Sequence, residues 1–164
     1  MEHFAGLLKI KVVRGVNLAY RDSRGSDPYV VVRLGAQRLK TSVKKKNVNP
    51  VWNEDLTLSI DDPFMPIKIE VFDKDTFTKD DSMGDAEFSI HPLVEAAKMN
   101  LEGLPSTAVI KTVNASRQNC IASDSHIILK DGKLVQDVIL RLRNTESGEV
   151  ELQLQWVNIP RNVP

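Results

Sequence analysis

The sequence predicts an all-β protein, an antiparallel sandwich of eight strands, and three observations carry that expectation. Short runs rich in β-branched residues alternate apolar and polar positions with period two. Asp, Asn, Pro and Gly separate the runs. Outside residues 91–136, no helical period stands between them. At 164 residues and 41% hydrophobic, the chain is long and apolar enough for one domain with a real core.

In the first run Leu8, Ile10 and Val12 alternate with Lys9, Lys11 and Val13, which suits a strand with one buried face. The turn Asp27-Pro28 precedes a β-branched second strand at 29–34, and after Gly35 a third returns at 37–43. Residues 52–60, 67–72 and 86–90 supply three more, each bounded by Pro, Asp or Gly. Near the end Val138, Leu140 and Leu142 alternate, and Val150, Leu152, Leu154 and Trp156 alternate against Glu and Gln. Residues 91–136 form an insertion between the sixth and seventh strands, far longer than an ordinary connection. Pro92 suits a first helical position, and Leu93, Val94, Ala97 and Leu101 fall on one face of a short helix. Strand-like runs follow at 108–113, 127–130 and 133–135, the last two joined by the hairpin signal Asp131-Gly132. The insertion either covers a sheet edge or forms a specific surface.

The formal net charge is zero, which argues against a generally basic nucleic-acid binder. That zero hides a separation: residues 30–53 hold six Lys and Arg and no acid, while 54–95 hold twelve Asp and Glu against three Lys. Cys120 is alone, so neither a disulfide within the chain nor a multi-thiolate zinc site is possible, and a reducing, intracellular compartment is expected. Lys9 and Lys11 break the apolar run at 4–8 too early for a signal peptide or membrane span, Glu2 excludes myristoylation, and Val163-Pro164 is no prenylation tail. Membrane contact is therefore expected to be peripheral, and the sequon Asn114-Ala115-Ser116 to stay unused.

Five aspartates stand at two chain positions: Asp22 and Asp27 after the first strand, then Asp73, Asp75 and Asp81 after the fifth. Asp is common in turns because its side chain bonds the backbone, which accounts for any one of these but less easily for the set. Five carboxylates brought together repel unless a cation neutralises them, and calcium takes about six to eight oxygens, so the set could hold two or three ions. Two ions would change the local charge from −5 to about −1. An EF-hand fails, since counting from Asp73 puts Thr78 where Gly is required and Gly84 where Glu is required. Paired-carboxylate catalysis needs two carboxyls in a cleft, and five together point to metal ligation.

In order along the chain stand Asp22-x4-Asp27-Pro28-Tyr29-Val30, then Asn49-Pro50-x-Trp52-Asn53-Glu54, then Val71-Phe72-Asp73-x-Asp75-x5-Asp81-x2-Gly84. This pattern resembles a C2 domain. The resemblance implies an eight-stranded C2 β-sandwich with calcium ligands Asp22, Asp27, Asp73, Asp75 and Asp81, completed by the backbone carbonyls of Arg21 and Lys74, with Thr78 a weaker candidate. Only about six residues precede the strand leading into the first aspartate loop, which resembles the permuted type II topology. Gln118-Asn119-Cys120, the run 133–137 and the segment 148–156 extend the similarity to the plant C2-domain abscisic-acid-related family, whose members carry an additional signature region. That resemblance implies calcium-dependent binding to acidic phospholipids and recruitment of abscisic-acid receptors to the membrane. It also implies, as an alternative, activation of a GTPase, and placement at the cytoplasmic side of the plasma membrane, in the cytoplasm and in the nucleus.

Arg33, Arg38, Lys40, Lys44, Lys45 and Lys46 make a basic stripe, and alternation puts Arg38 and Lys40 on one strand face. A solvated charged face is the plain explanation. By resemblance, the strand ending at Lys40, with Lys44, Lys45 and residues near Trp52, forms a groove for phosphoinositide headgroups. Anionic lipid attracts such a cluster by about 1 kcal/mol per cation near the surface. Three consecutive lysines fall short of a nucleic-acid or nuclear-localisation run. Phe77 falls at the tip of the second aspartate loop, where it either packs on its own loop or enters a bilayer interface, and Arg24, Lys74 and Lys79 surround that tip. No catalytic constellation emerges: the three histidines are scattered, and neither a Gly-x-Ser-x-Gly elbow nor a Walker loop is present. A GTPase activator needs at most an arginine in trans, and nine arginines offer no way to choose one.

Overall fold

Leu8, Ile10 and Val12 are fully buried while Lys9 is exposed, so the period-two pattern sets which face of the first strand, β1 (Gly6–Val16), meets the core. The structure, a computed structural model, describes residues 6–21 and 25–159. After β1 come β2 (Pro28–Leu34), β3 (Gln37–Lys40), β4 (Val51–Ile60), β5 (Ile67–Asp73), β6 (Asp81–Phe88), α1 (His91–Ala97), β7 (Val109–Val113), β8 (Ser125–Lys130), β9 (Lys133–Arg141) and β10 (Glu149–Asn158). They form a six-stranded sheet in the order β4-β1-β10-β9-β8-β7 and a four-stranded sheet in the order β3-β2-β5-β6. Adjacent strands pair antiparallel throughout. β1 lies between β4 and β10, with Leu8 opposite both Leu58 and Trp156, as the type II expectation requires.

The inner faces meet in one cluster that joins Leu8, Ile10 and Leu154 of one sheet to Val30, Ile69 and Ala86 of the other. Each large apolar side chain so enclosed contributes about 1.5–3 kcal/mol. The eight expected strands are present as β1–β6, β9 and β10. The insertion adds β7 and β8, which continue the larger sheet outward from β9. Asp131 (φ 50°) and Gly132 (φ 79°) turn the β8–β9 hairpin in the left-handed region that the Asp-Gly pair favours. Leu93, Val94 and Ala96 of α1 are buried, and the helix packs against β7, β9 and β10. It thereby lies over the larger sheet from β10 to the added β7.

Among the boundaries that differ from the sequence reading, three have a local reason. β3 stops at Lys40 instead of reaching residue 43, because Thr41 Oγ1 accepts the Val30 amide at 2.9 Å, where a ladder carbonyl would otherwise stand. β6 starts at Asp81 instead of residue 86, because a bulge between Glu70 and Phe72 keeps Ser82 and Asp81 paired with Phe72 and Asp73. The runs at 133–135 and 138–142 are one strand, β9, since β8 and β10 bury its two neighbouring registers together.

Candidate calcium site and its basic border

The second aspartate loop has both feet in one ladder: β5 ends at Asp73, β6 begins at Asp81, and the two residues are paired. The loop of residues 74–80 therefore brings Asp75 back over its own base. One carboxylate oxygen each from Asp73, Asp75 and Asp81 lies within 4.8 Å of the others. Two oxygens on opposite sides of a calcium ion stand about 5 Å apart, because each Ca–O bond is about 2.3–2.6 Å. The spacing fits all three on one ion, and three hard carboxylates suit calcium over a thiophilic metal. Asp73 is buried at the base, Asp75 half-buried, and Asp81 exposed at the rim.

The first loop is bonded to the second through Asp27. Its amide donates to Asp73 Oδ1 at 2.8 Å, and its carbonyl accepts the Lys74 amide at 3.0 Å. The first of these bonds helps offset the cost of burying the Asp73 carboxylate. The Asp27 carboxylate is not among the three that converge; its Oδ1 accepts the Lys46 amide at 2.7 Å. Asp22 and Arg24 lie outside the described residues.

Arg21, expected only for its carbonyl, also anchors the loop by its side chain. Nε donates to the Ser82 carbonyl at 2.8 Å, Nη1 to Glu146 at 2.8 Å and Nη2 to Thr145 Oγ1 at 3.0 Å. The guanidinium holds the Glu146 carboxyl below the usual carboxylate range. Asp80 is the other residue that sequence reasoning passed over. Its carboxylate accepts the Asp75 amide at 2.9 Å and the Tyr29 hydroxyl, with Lys74 Nζ at 3.9 Å. The Tyr29 bond, then the Asp75 amide, hold the Asp80 carboxyl low, while burial and then Asp80 push the Tyr29 phenol up to about 12. The doubled Asp80-Asp81 was the available signal, but adjacent residues on a turning loop point in different directions.

Arg38 and Lys40 are exposed on β3, and register puts Arg38 beside Arg33, which faces Lys68 on β5. Arg33 also pairs with Glu70 at 3.3 Å. The lysine turn runs along the first aspartate loop: the Lys44 amide donates to the Pro28 carbonyl at 3.0 Å, and the Asn47 amide to the Ser26 carbonyl at 3.0 Å. Lys45 and Lys46 are exposed and Lys44 half-buried, and the turn is tied to the Asp27 carboxylate through the Lys46 amide. Trp52 corrects the expectation of a lipid-contacting residue. It is 5% exposed, sits in the core cluster and donates Nε1–H to the Ser42 carbonyl at 2.9 Å, which takes its ring out of reach of a headgroup. Phe77 is 96% exposed and packs on nothing in its own loop. Among the described residues no helix is long and apolar enough to cross a membrane.

Residues 6–103 match the family model of the C2 domain. Over 158 residues the chain is 60% identical to "GTPase activating protein 1" of Oryza sativa subsp. indica, covering 96% of this chain and 95% of that one. Over 160 residues it is 59% identical to "Protein C2-DOMAIN ABA-RELATED 5" of Arabidopsis thaliana, covering 98% of this chain and 80% of that one. Both matches run through the insertion, beyond where the family model stops. Among solved structures, a C2 domain of plant Extended Synaptotagmin 1 superposes with a TM-score of 0.63 at 23% identity, covering 98% of this chain and all of that one, and so agrees in fold.

Proposed function

We propose that this chain, which belongs to the C2 domain family and within it to the plant C2-domain ABA-related proteins, binds acidic phospholipid membranes in response to calcium. The observation that carries the reading is the convergence of three carboxylates within 4.8 Å at the end of the sandwich that also presents Phe77 and the lysine turn. Asp73, Asp75 and Asp81, with Asp22, Asp27 and the carbonyls of Arg21 and Lys74, would hold two or three ions. Bound calcium supplies positive charge where the carboxylates alone repel phosphate. Lys45, Lys46, Lys74 and Lys79 then meet lipid phosphates with the opposing field removed, Arg38, Lys40 and Lys44 extend the cationic face, and Phe77 enters the interface.

Sedimentation with phosphatidylserine vesicles tests this. Wild type should pellet in calcium and stay in solution in chelator. Equal sedimentation in both would sink the calcium dependence. Phe77→Asp should weaken vesicle binding by about tenfold, the loss of one buried aromatic, while calcium affinity measured without vesicles stays unchanged.

Within abscisic-acid signalling, the proposed task is recruitment of hormone receptors to the cytoplasmic face of the plasma membrane, with further pools in the cytoplasm and nucleus. The insertion supports a docking role, because Met99, Leu104 and Val109 are exposed although α1 is already packed by other residues. Paired polar substitutions there should abolish receptor pull-down from vesicles and leave calcium binding intact. The second reading, activation of a GTPase, is favoured by the name of the rice relative. A GTP-turnover assay with and without the protein separates the two, since a receptor adaptor leaves turnover unchanged.

A further inference from the structure

We propose that Tyr29 and Asp80 are positioning residues that fix the second carboxylate loop in its ion-binding shape before any ion arrives. The proposal rests on the calcium reading above and assigns a role that the ligand set does not contain. Asp80 stands beside Asp81, yet the group of converging carboxylates consists of Asp73, Asp75 and Asp81 without it. Its oxygens are used within the protein instead: Oδ1 accepts the Asp75 amide at 2.9 Å and Oδ2 accepts the Tyr29 hydroxyl. The first bond closes the loop from residue 75 to residue 80 and leaves 76–79, with Phe77, as a protrusion. The second ties that closed loop to β2, 51 residues away along the chain.

Tyr29 is a rigid point from which to hold a loop. It is 8% exposed, lies opposite Phe72 in the β2–β5 ladder and stacks on that ring at 5.7 Å with an interplanar angle of 29°. Asp73 and Asp81 are held by ladder pairing, whereas Asp75 lies beyond the ladder. Its amide is held by Asp80, and Asp80 is held to the sheet by Tyr29. A loop ordered in advance spares ion binding the entropy of ordering it, so loosening it weakens affinity without removing a ligand.

The test uses the full chain with Tyr29→Phe, Asp80→Ala and Asp80→Asn. Phe at 29 keeps the ring stacking and removes only the hydroxyl bond. Asn at 80 can still accept the Asp75 amide and can donate to the Tyr29 oxygen, so it keeps the closure while removing the charge. Calorimetric titration with calcium should show affinity about five- to twentyfold weaker for Tyr29→Phe and Asp80→Ala, and within about threefold of wild type for Asp80→Asn. In chelator, amide hydrogen exchange at Asp75 should be about tenfold faster in the first two and unchanged in the third. At saturating calcium all three should bind phosphatidylserine vesicles as wild type does. Wild-type affinity in Tyr29→Phe overturns the proposal, and so does an Asp80→Asn loss as large as that of Asp80→Ala, which would assign Asp80 a direct charge effect. A wild type that takes up no calcium overturns the metal reading itself. Unchanged Asp75 exchange in Tyr29→Phe and Asp80→Ala overturns the positioning role whatever the metal result.

Discussion

Asp73→Asn combined with Asp75→Asn is expected to lower calcium affinity by at least about a hundredfold, because affinity follows the charge count of the ligands and two of the three converging carboxylates are neutralised. The change is close to isosteric. An asparagine at position 73 can still accept the Asp27 amide that Asp73 Oδ1 accepts at 2.8 Å, so the contact between the two loops survives. Without metal, removing two of several like charges relieves repulsion, and the variant should unfold at the same or a higher temperature than wild type in chelator. A ligand that binds only the folded state stabilises it by about 2.7 kcal/mol at a hundred times its dissociation constant. Wild type should therefore gain several degrees in melting temperature on addition of calcium, and the variant none. A variant that still gained the full shift would show that the calcium is held elsewhere.

Gly84→Val is expected to destabilise the fold by about 2–5 kcal/mol in urea unfolding, combining left-handed backbone strain with overpacking. Gly84 has φ +105°, and a Cβ there would stand 2.9 Å from the Arg143 carbonyl and 2.7 Å from Thr145 Cγ2. Backbone on one side leaves no flexible neighbour to move. That close approach lets Asp85 and Arg143 exchange backbone bonds at 3.1 and 2.6 Å and an ion pair at 2.8 Å, which link β6 to the segment after β9. Ser82, whose carbonyl accepts Arg21 Nε–H, and the proposed ligand Asp81 lie just upstream, so calcium affinity should fall with stability. Gly35→Ala is the comparison: φ is +56°, the nearest atom is Met65 Sδ at 3.7 Å, and the cost should be about 1 kcal/mol. Equal losses at the two positions would mean that backbone strain alone, and not the approach to Arg143, sets the cost at Gly84.

Much of the architecture was legible because burial on one face leaves a period of two, as in Leu8-Lys9-Ile10, and because Asp131-Gly132 admits few turn types. The three carboxylates of the second loop were legible because they are close in sequence. What could not be read depends on partners far away along the chain. Thr41 ends β3 by bonding Val30, the bulge opposite β6 moves its start to Asp81, and Arg21 reaches Glu146 across 125 positions. Trp52 misled for a related reason: a Trp beside a basic turn reads as a surface aromatic until the Ser42 carbonyl that takes its indole proton is seen.

The seat of β1 between β4 and β10 has a consequence in time. Leu8 pairs with Trp156, about 150 positions away, so β1, which lies inside the larger sheet, has only β4 as a neighbour until β10 has been made. Topologies dominated by such distant pairings fold over about milliseconds to seconds, and synthesis at about 5–20 residues per second takes longer still. During translation one edge of β1 therefore waits with its N–H and C=O groups unpaired, a template for pairing with another chain. Closure of the larger sheet should thus wait until β10 has emerged from the ribosome.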